Sequence, residues 1–268
     1  MPATILIRGG GDLASGVALR LFHAGLNVVV SELPEPLSVR RTVSFSEAIY
    51  EGQVVIEGIT ARAVADPTDM LKIMNVLSKR HIPVLVDSEG VSARLLHPLA
   101  IVDGRMLKRP PERLAHSAVL YIGLGPGFEA PTNCHVVIET QRGHRLGRVI
   151  WSGATMGDTG KPEGDARRVL RAPADGIFES SSSIGMHLDA GAPIASVNGE
   201  IIAAPFPGVL RGLLRPGLHV SEGMKVGDID ARDDASVCNL ISDKALAIGG
   251  AVLEALLTRP EARSKLWV

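Results

Sequence analysis

Along the first sixty positions the apolar residues follow two different spacings. Thr4 to Arg8 (TILIR) is a short β-branched run that stops at three glycines, and from Asp12 the apolar positions Leu13, Val17, Leu21 and Phe22 recur at helical spacing. The pattern predicts strand, tight turn, helix. After Gly25, Asn27 to Val30 reads as a second buried strand that ends in Ser31 and Glu32. The alternation continues downstream. Val54 to Glu57, Pro83 to Asp87, Leu99 to Val102, Val119 to Gly123 and Val136 to Thr140 read as strands, and Asp66 to Lys79 as a helix with Pro67 at its start. Leu240 to Leu257 reads as a last helix, capped by Ser242 or Asp243. Gly249 and Gly250 inside it cost about 1 kcal/mol each in helix propensity, which predicts that another backbone comes close.

Composition narrows the class. A chain of 268 residues with 46% hydrophobic and 21% charged residues is globular and long enough for two domains. A formal net charge of −1 argues against nucleic acid as a partner. No apolar run reaches the roughly 18 residues of a membrane span, and Met1 to Arg8 leads straight into the glycines, so a cytoplasmic protein without a membrane partner is expected. Cys134 and Cys238 stand far apart and outside any CxxC spacing, which supports neither a disulfide framework nor a metal cluster.

Within the first strand-turn-helix, Gly9, Gly11 and Ala14 fit the pattern GxGxxA, with Gly10, Ser15 and Gly16 beside them. Such a turn lets a phosphate approach the backbone, and the amides and dipole at the helix start then bind its oxygens. Glu32, at the tip of the second strand, stands where a ribose diol is bound and favours NAD among nucleotides. Asp12 fits only as a helix cap, since a carboxylate beside a phosphate repels it. The bland alternative is a turn that merely packs helix on sheet.

Further candidates lie downstream. Arg40 and Arg41 follow the Pro34 and Pro36 loop, and DGRMLKR places Lys108 and Arg109 just past a strand. GLGPGF, from Gly123 to Phe128, puts Gly125 and Gly127 after another strand as a second backbone nest. QRGHRLG, from Gln141 to Gly147, carries Arg142 and His144. Arg40, Lys108 and Arg142 are expected to converge on an anion between the two glycine loops.

A repeat marks the second half. Ala172 to Phe178 and Ala204 to Leu210 align at an offset of 32 residues, as do Gly185 to Ile194 and Gly217 to Val226. Each copy is too small to bury a core alone, so the two must pack together. The segment resembles the biotinyl/lipoyl family, the barrel-sandwich hybrid, over Arg171 to Asp230. Where its carriers present a lysine, the hairpin here is Val197, Asn198, Gly199 and Glu200, so neither lipoyl nor biotin is expected.

The reading is therefore α/β: a Rossmann-type parallel-sheet, nucleotide-binding domain over 1–165, a small all-β lipoyl-like domain over 168–232, and a C-terminal helix over 236–260 that packs back on the first domain. Taken in order, GGGDLASGVALRLFHAG, PEPLSVRRTVSFSEAIYEG, IGLGPGF, ETQRGHRLGRVIWSG, LRAPADG, GVLRGLLRPGLHV and SDKALAIGGAVLEALL are similar to the YqeB family. The resemblance implies an accessory factor in the maturation of selenium-dependent molybdenum hydroxylases. The implied partner is a xanthine-dehydrogenase-like enzyme, the implied ligand the molybdenum cofactor, and no catalytic residue is carried over. The competing functions are an NAD-dependent oxidoreductase acting on a small anionic substrate, with His144 or Lys108 as proton donor, and a non-catalytic scaffold. Whether the chain is an enzyme or a homo-oligomer stays open.

Overall fold

The computed structural model describes residues 2–107, 109–111, 118–158 and 164–268. The chain divides into two units, Met1–Pro36 with Ser44–Thr159 and Ile241–Val268, and Leu37–Val43 with Gly160–Leu240. Among the described residues no helix is long and apolar enough to cross a membrane.

Unit 1 starts with β1 (Thr4–Arg8), α1 (Asp12–His23) and β2 (Asn27–Glu32), and continues with α2 (Ala48–Glu51), β3 (Gln53–Ile56), β4 (Ile59–Val64), α3 (Met70–Ser78), β5 (Ile82–Val86), α4 (Ser92–Leu96) and β6 (Ala100–Asp103). It goes on through β7 (Leu120–Leu124), β8 (Glu129–Ala130), β9 (Val136–Ile138), β10 (Val149–Ile150) and β11 (Gly153–Ala154), and closes with α5 (Asp243–Thr258) and α6 (Pro260–Arg263). Nine strands form one sheet in the order β10-β9-β7-β6-β1-β2-β5-β4-β3. Ile5, Leu6 and Ile7 of β1 and Val28, Val29 and Val30 of β2 are buried, the continuous apolar run expected of strands covered on both faces.

The fold class read from the sequence needs correction at this point. The sheet is mixed rather than Rossmann-type parallel, because β3 runs antiparallel to β4 at one edge and β10 antiparallel to β9 at the other. The cause is turn chemistry. Glu57 (φ 46°) and Gly58 (φ 81°) form a two-residue turn between paired Ile56 and Ile59, which makes a hairpin where a lone strand was expected. Helix α3 also starts later than its pattern suggested, since Asp69, not Asp66 or Thr68, accepts the capping N–H, from Lys72 at 2.9 Å.

Helix α5 packs on α1. A Cβ on Gly249 would lie 2.6 Å from the carbonyl oxygen of Gly16, whereas nothing lies within 4 Å of one on Gly250. Close approach therefore explains the first glycine and not the second.

Unit 2 contains β12 (Val169–Arg171), β13 (Gly176–Glu179), β14 (His187–Leu188), β15 (Pro193–Val197), β16 (Glu200–Ala203), β17 (Gly208–Leu213), β18 (His219–Val220) and β19 (Lys225–Asp230). They form two four-stranded sheets, β12-β19-β17-β14 and β16-β15-β13-β18. The offset of 32 residues carries β12 onto β16, β13 onto β17, β14 onto β18 and β15 onto β19, so the repeat relates one sheet to the other strand for strand.

The expected lipoyl-like barrel, closed within its own repeat, is also corrected. Leu37–Val43, far away in sequence, is built into this unit. The carbonyl of Val39 accepts from the Leu213 N–H at 2.8 Å, and Thr42 Oγ1 donates to the carbonyl of Cys238 at 2.5 Å. Arg41 Nε donates to Leu213 O at 2.7 Å, and Arg40 Nη2 donates to Val237 O at 3.2 Å and Leu240 O at 3.3 Å. The unit described here is thus a pair of antiparallel sheets laced by a remote strap. Arg40 and Arg41, expected as anion ligands, thus each donate to backbone carbonyls of unit 2.

On the first of these sheets, fully buried Asp228 accepts from Arg211 and, at 2.5 Å, from Arg168, while Asp230 accepts from Arg232 at 2.5 Å. The Arg232 guanidinium is the main cause that holds the Asp230 carboxyl down to about 2, against the opposing effect of burial. A carboxyl lowered on folding contributes stability that is present above the ordinary carboxylate range and lost as pH falls through the folded value. Unit 2 is therefore expected to lose stability between about pH 4 and 2. Arg232→Ala should move that acid transition upward, measured from the amide NMR signals of β17 and β19 during acid titration.

Candidate functional site

In open α/β sheets, ligands bind outside the carboxyl ends of the strands, where connections to the two sides diverge. In unit 1 that point lies between β1, whose helix leads to β2 on one side, and β6 on the other. Arg8 ends β1, Asp103 ends β6, and the parallel register sets them opposite each other. Asp103, only 1% exposed, accepts from Arg105 Nε at 2.9 Å and Nη2 at 2.7 Å, from the Tyr121 hydroxyl at 2.8 Å and from Arg8 Nη1 at 3.5 Å. Burial, followed by the charge of Asp103, pushes the Tyr121 phenol up to about 12, so it stays a neutral donor.

The first glycine loop adjoins this cluster. The Gly9 N–H donates to Ser31 O at 2.8 Å, and a Cβ on Gly9 would stand 3.3 Å from the Arg105 backbone. The Gly10 N–H donates to Glu32 Oε2 at 2.6 Å, and a Cβ there would meet the Ser46 nitrogen at 2.9 Å. Ser15 Oγ donates to Gly10 O at 3.2 Å and accepts from the Phe45 N–H at 2.9 Å. Gly9, Gly10 and Gly16 are thus explained by the chain's own close packing. Gly11 stands as N-cap of α1 at φ −67°, a conformation open to any residue, and has no side chain with which to cap the first turn. Asp12 opens the helix as its first-turn acid.

Glu32 is engaged by the protein. Its two oxygens accept from the Gly10 and Leu33 N–H groups, at 2.6 and 2.8 Å, and burial raises its carboxyl above the ordinary range against the pull of both bonds. Each oxygen keeps a second lone pair that a further donor could use.

The second glycine loop meets the same segment as the first. A Cβ on Gly125 would lie 3.1 Å from Met106 Cε, and one on Gly127 would collide with the carbonyl of Arg109. Gly104 and Arg105 therefore border the first loop, and Met106 and Arg109 the second. Lys108, one of the expected anion ligands, lies outside the described residues. Arg142 pairs with Asp243 through 2.6 and 2.7 Å bonds on the surface, a type of pair worth about 0–1 kcal/mol, and His144 is exposed on the same loop. The cations that do converge are Arg8 and Arg105, which sequence reasoning missed. The available signal was the DGR that opens DGRMLKR, an acid and a base separated by one glycine at a strand end.

Arg8, Asp103 and Arg105 thus gather at the carboxyl ends of parallel strands of a mixed α/β sheet. The chain is 44% identical over 257 residues, 94% of its length, to the uncharacterized protein YqeB of Escherichia coli (strain K12). It spans 47% of that protein, about half the length of the curated relative it matches. No protein-family model matches the chain. Among solved structures, it is similar to an aspartoacylase family protein from Mesorhizobium loti (12% identity, 85% of this chain and 84% of that one, TM-score 0.26). It is also similar to the product-bound ectoine utilization protein EutE (DoeB) from Ruegeria pomeroyi (13% identity, 85% of each chain, TM-score 0.26). Scores this low leave the strand order given above as the description of the fold.

Proposed function

We propose that unit 1 binds a phosphate-bearing ligand, a nucleotide or the phosphate of a molybdenum cofactor, outside the carboxyl ends of β1, β2 and β6. The observation that carries this reading is that Gly104 and Arg105 border the first glycine loop while neighbouring Met106 borders the second, with Arg105 fixed there by Asp103. Arg105 is one-quarter exposed, and its guanidinium is oriented by two bonds before any ligand arrives. The amides of the first turn of α1 supply the opposite wall. Glu32 supports a ribose beside the phosphate.

The YqeB resemblance supports a more specific role, as an accessory factor that handles or inserts the cofactor of a molybdenum hydroxylase. Under that role the phosphate is the handle by which the cofactor is held, and the partner enzyme receives it. The second reading is an NAD-dependent oxidoreductase, favoured by Glu32 alone. Activity of a molybdenum hydroxylase produced with and without this chain separates the two, since only the accessory role makes that activity depend on it.

Ligand binding is tested by Gly11→Val, whose backbone conformation a valine adopts without strain while its side chain crowds the first-turn amides. Equilibrium dialysis against AMP, NAD and pyrophosphate should show a loss of about tenfold or more for at least one of them, the scale of a hydrogen bond to a charged group. The melting temperature should hold. Equal affinity in the variant and the parent for all three would overturn the proposal.

A further inference from the structure

The two sheets of unit 2 are related by the repeat, yet their corresponding edges differ in character. The offset of 32 residues sets Arg168, Val169, Leu170 and Arg171, at edge strand β12, against Glu200, Ile201, Ile202 and Ala203 of edge strand β16. Charged groups on an edge discourage other strands from adding to it. Edge β12 ends in Arg171 and is preceded by Arg168, which is tied at 2.5 Å to Asp228. Edge β16 carries no cation and no proline, and Ile201 is 68% exposed.

The geometry of the hairpin opens this edge further. Asn198 (φ 51°) and Gly199 (φ 79°) form the two-residue turn between paired Val197 and Glu200. In such a hairpin the residues flanking the turn exchange hydrogen bonds with each other, so the backbone N–H and C=O of the next residue, Ile201, point away from β15. No strand pairs with that side of β16 among the described residues. Across the outer face the register lines up Ile201, Ser196 and Glu179, with Ile177, 47% exposed, on the same face as Glu179.

Charge selects the kind of partner. From Ala172 to Leu210 the chain holds four acids, Asp175, Glu179, Asp189 and Glu200, and neither lysine nor arginine. We infer that edge strand β16 docks an extended partner segment in which apolar residues alternate with lysine or arginine, added as a fifth strand to the second sheet. The partner's backbone pairs with Ile201, its apolar side chains cover Ile201 on one face of the sheet, and its cations, on the other face, meet Glu200. An acidic or uncharged strand lacks that last match.

The test uses the full chain and two capped hexapeptides, one alternating lysine with valine and one alternating glutamate with valine. Titration followed by NMR should show saturable binding of the lysine peptide, weakened at least tenfold by Ile201→Lys, a change at an exposed site that leaves the fold intact. The Ile201 amide should become protected from hydrogen exchange in the complex. Equal binding of both peptides, no saturable binding, or an Ile201 amide that exchanges as fast in the complex as in the free chain would each overturn the inference. So would a self-association in sedimentation that Ile201→Lys abolishes, because a second copy would then be the occupant.

Discussion

Asp103→Ala is expected to lower the stability of unit 1 by about 3–5 kcal/mol, the cost of leaving a buried charge without its partner. The carboxylate is 1% exposed and Arg8, whose guanidinium faces it, only 5%. Removing the acid strands that cation in a site that water does not reach, and it leaves the Tyr121 hydroxyl without its acceptor as well. Asp103→Asn keeps the shape and one acceptor, so it should cost less. Tyrosine titration gives a second readout. The Tyr121 phenol is raised from 10 to about 12, so its contribution is fully present below pH 10 and lost as pH rises through about 12. In Asp103→Asn the negative neighbour is gone, and the tyrosinate absorbance of one of the two tyrosines should appear at lower pH than in the parent. Urea denaturation measures the first effect, and unchanged stability of Asp103→Ala would show that Arg8 does not depend on this carboxylate.

The parts of this fold legible in the sequence are those set by local spacing. β1, α1 and β2 stand where the apolar pattern places them, because a buried parallel strand is a continuous apolar run and a covered helix repeats every three or four residues. The repeat in unit 2 was visible since both copies need glycine at the same turns, as in Gly185 with Gly217 and Gly191 with Gly223, all at positive φ. The hairpin of β3 and β4 was missed because Glu57 was read as the end of a strand instead of the first residue of a turn. Arg40 and Arg41 looked like anion ligands because nothing local reveals that their partners are the carbonyls of residues 213, 237 and 240. The Arg8 and Asp103 pair joins residues 95 positions apart, and only the strand order brings them side by side. Within the glycine loop the motif was read correctly as a turn before a helix. What the motif does not reveal is that Gly9, Gly10 and Gly16 answer to the protein's own backbone.

That backbone demand sets the second large expectation: Gly16→Val should destabilise unit 1 by about 3 kcal/mol or more, beyond the usual range for overpacking. A Cβ on Gly16 would lie 2.6 Å from the carbonyl carbon, Cβ and oxygen of Ala245 in α5, and backbone atoms cannot rotate out of the way as a side chain would. The two helices must separate. Their other close point, Gly249 against the Gly16 carbonyl, opens with them. The loss is therefore shared along the crossing and is larger than the crowding of one methyl group. Gly250→Ala is the built-in comparison, because it sits in the same helix, exposed, with nothing within 4 Å of the added Cβ. Replacing glycine by alanine in a helix interior stabilises by about 1 kcal/mol, so this variant should melt higher than the parent while Gly16→Val melts lower. Thermal and urea denaturation of the three proteins decide it, and a Gly16→Val chain as stable as its parent would mean that α1 and α5 do not cross at this distance.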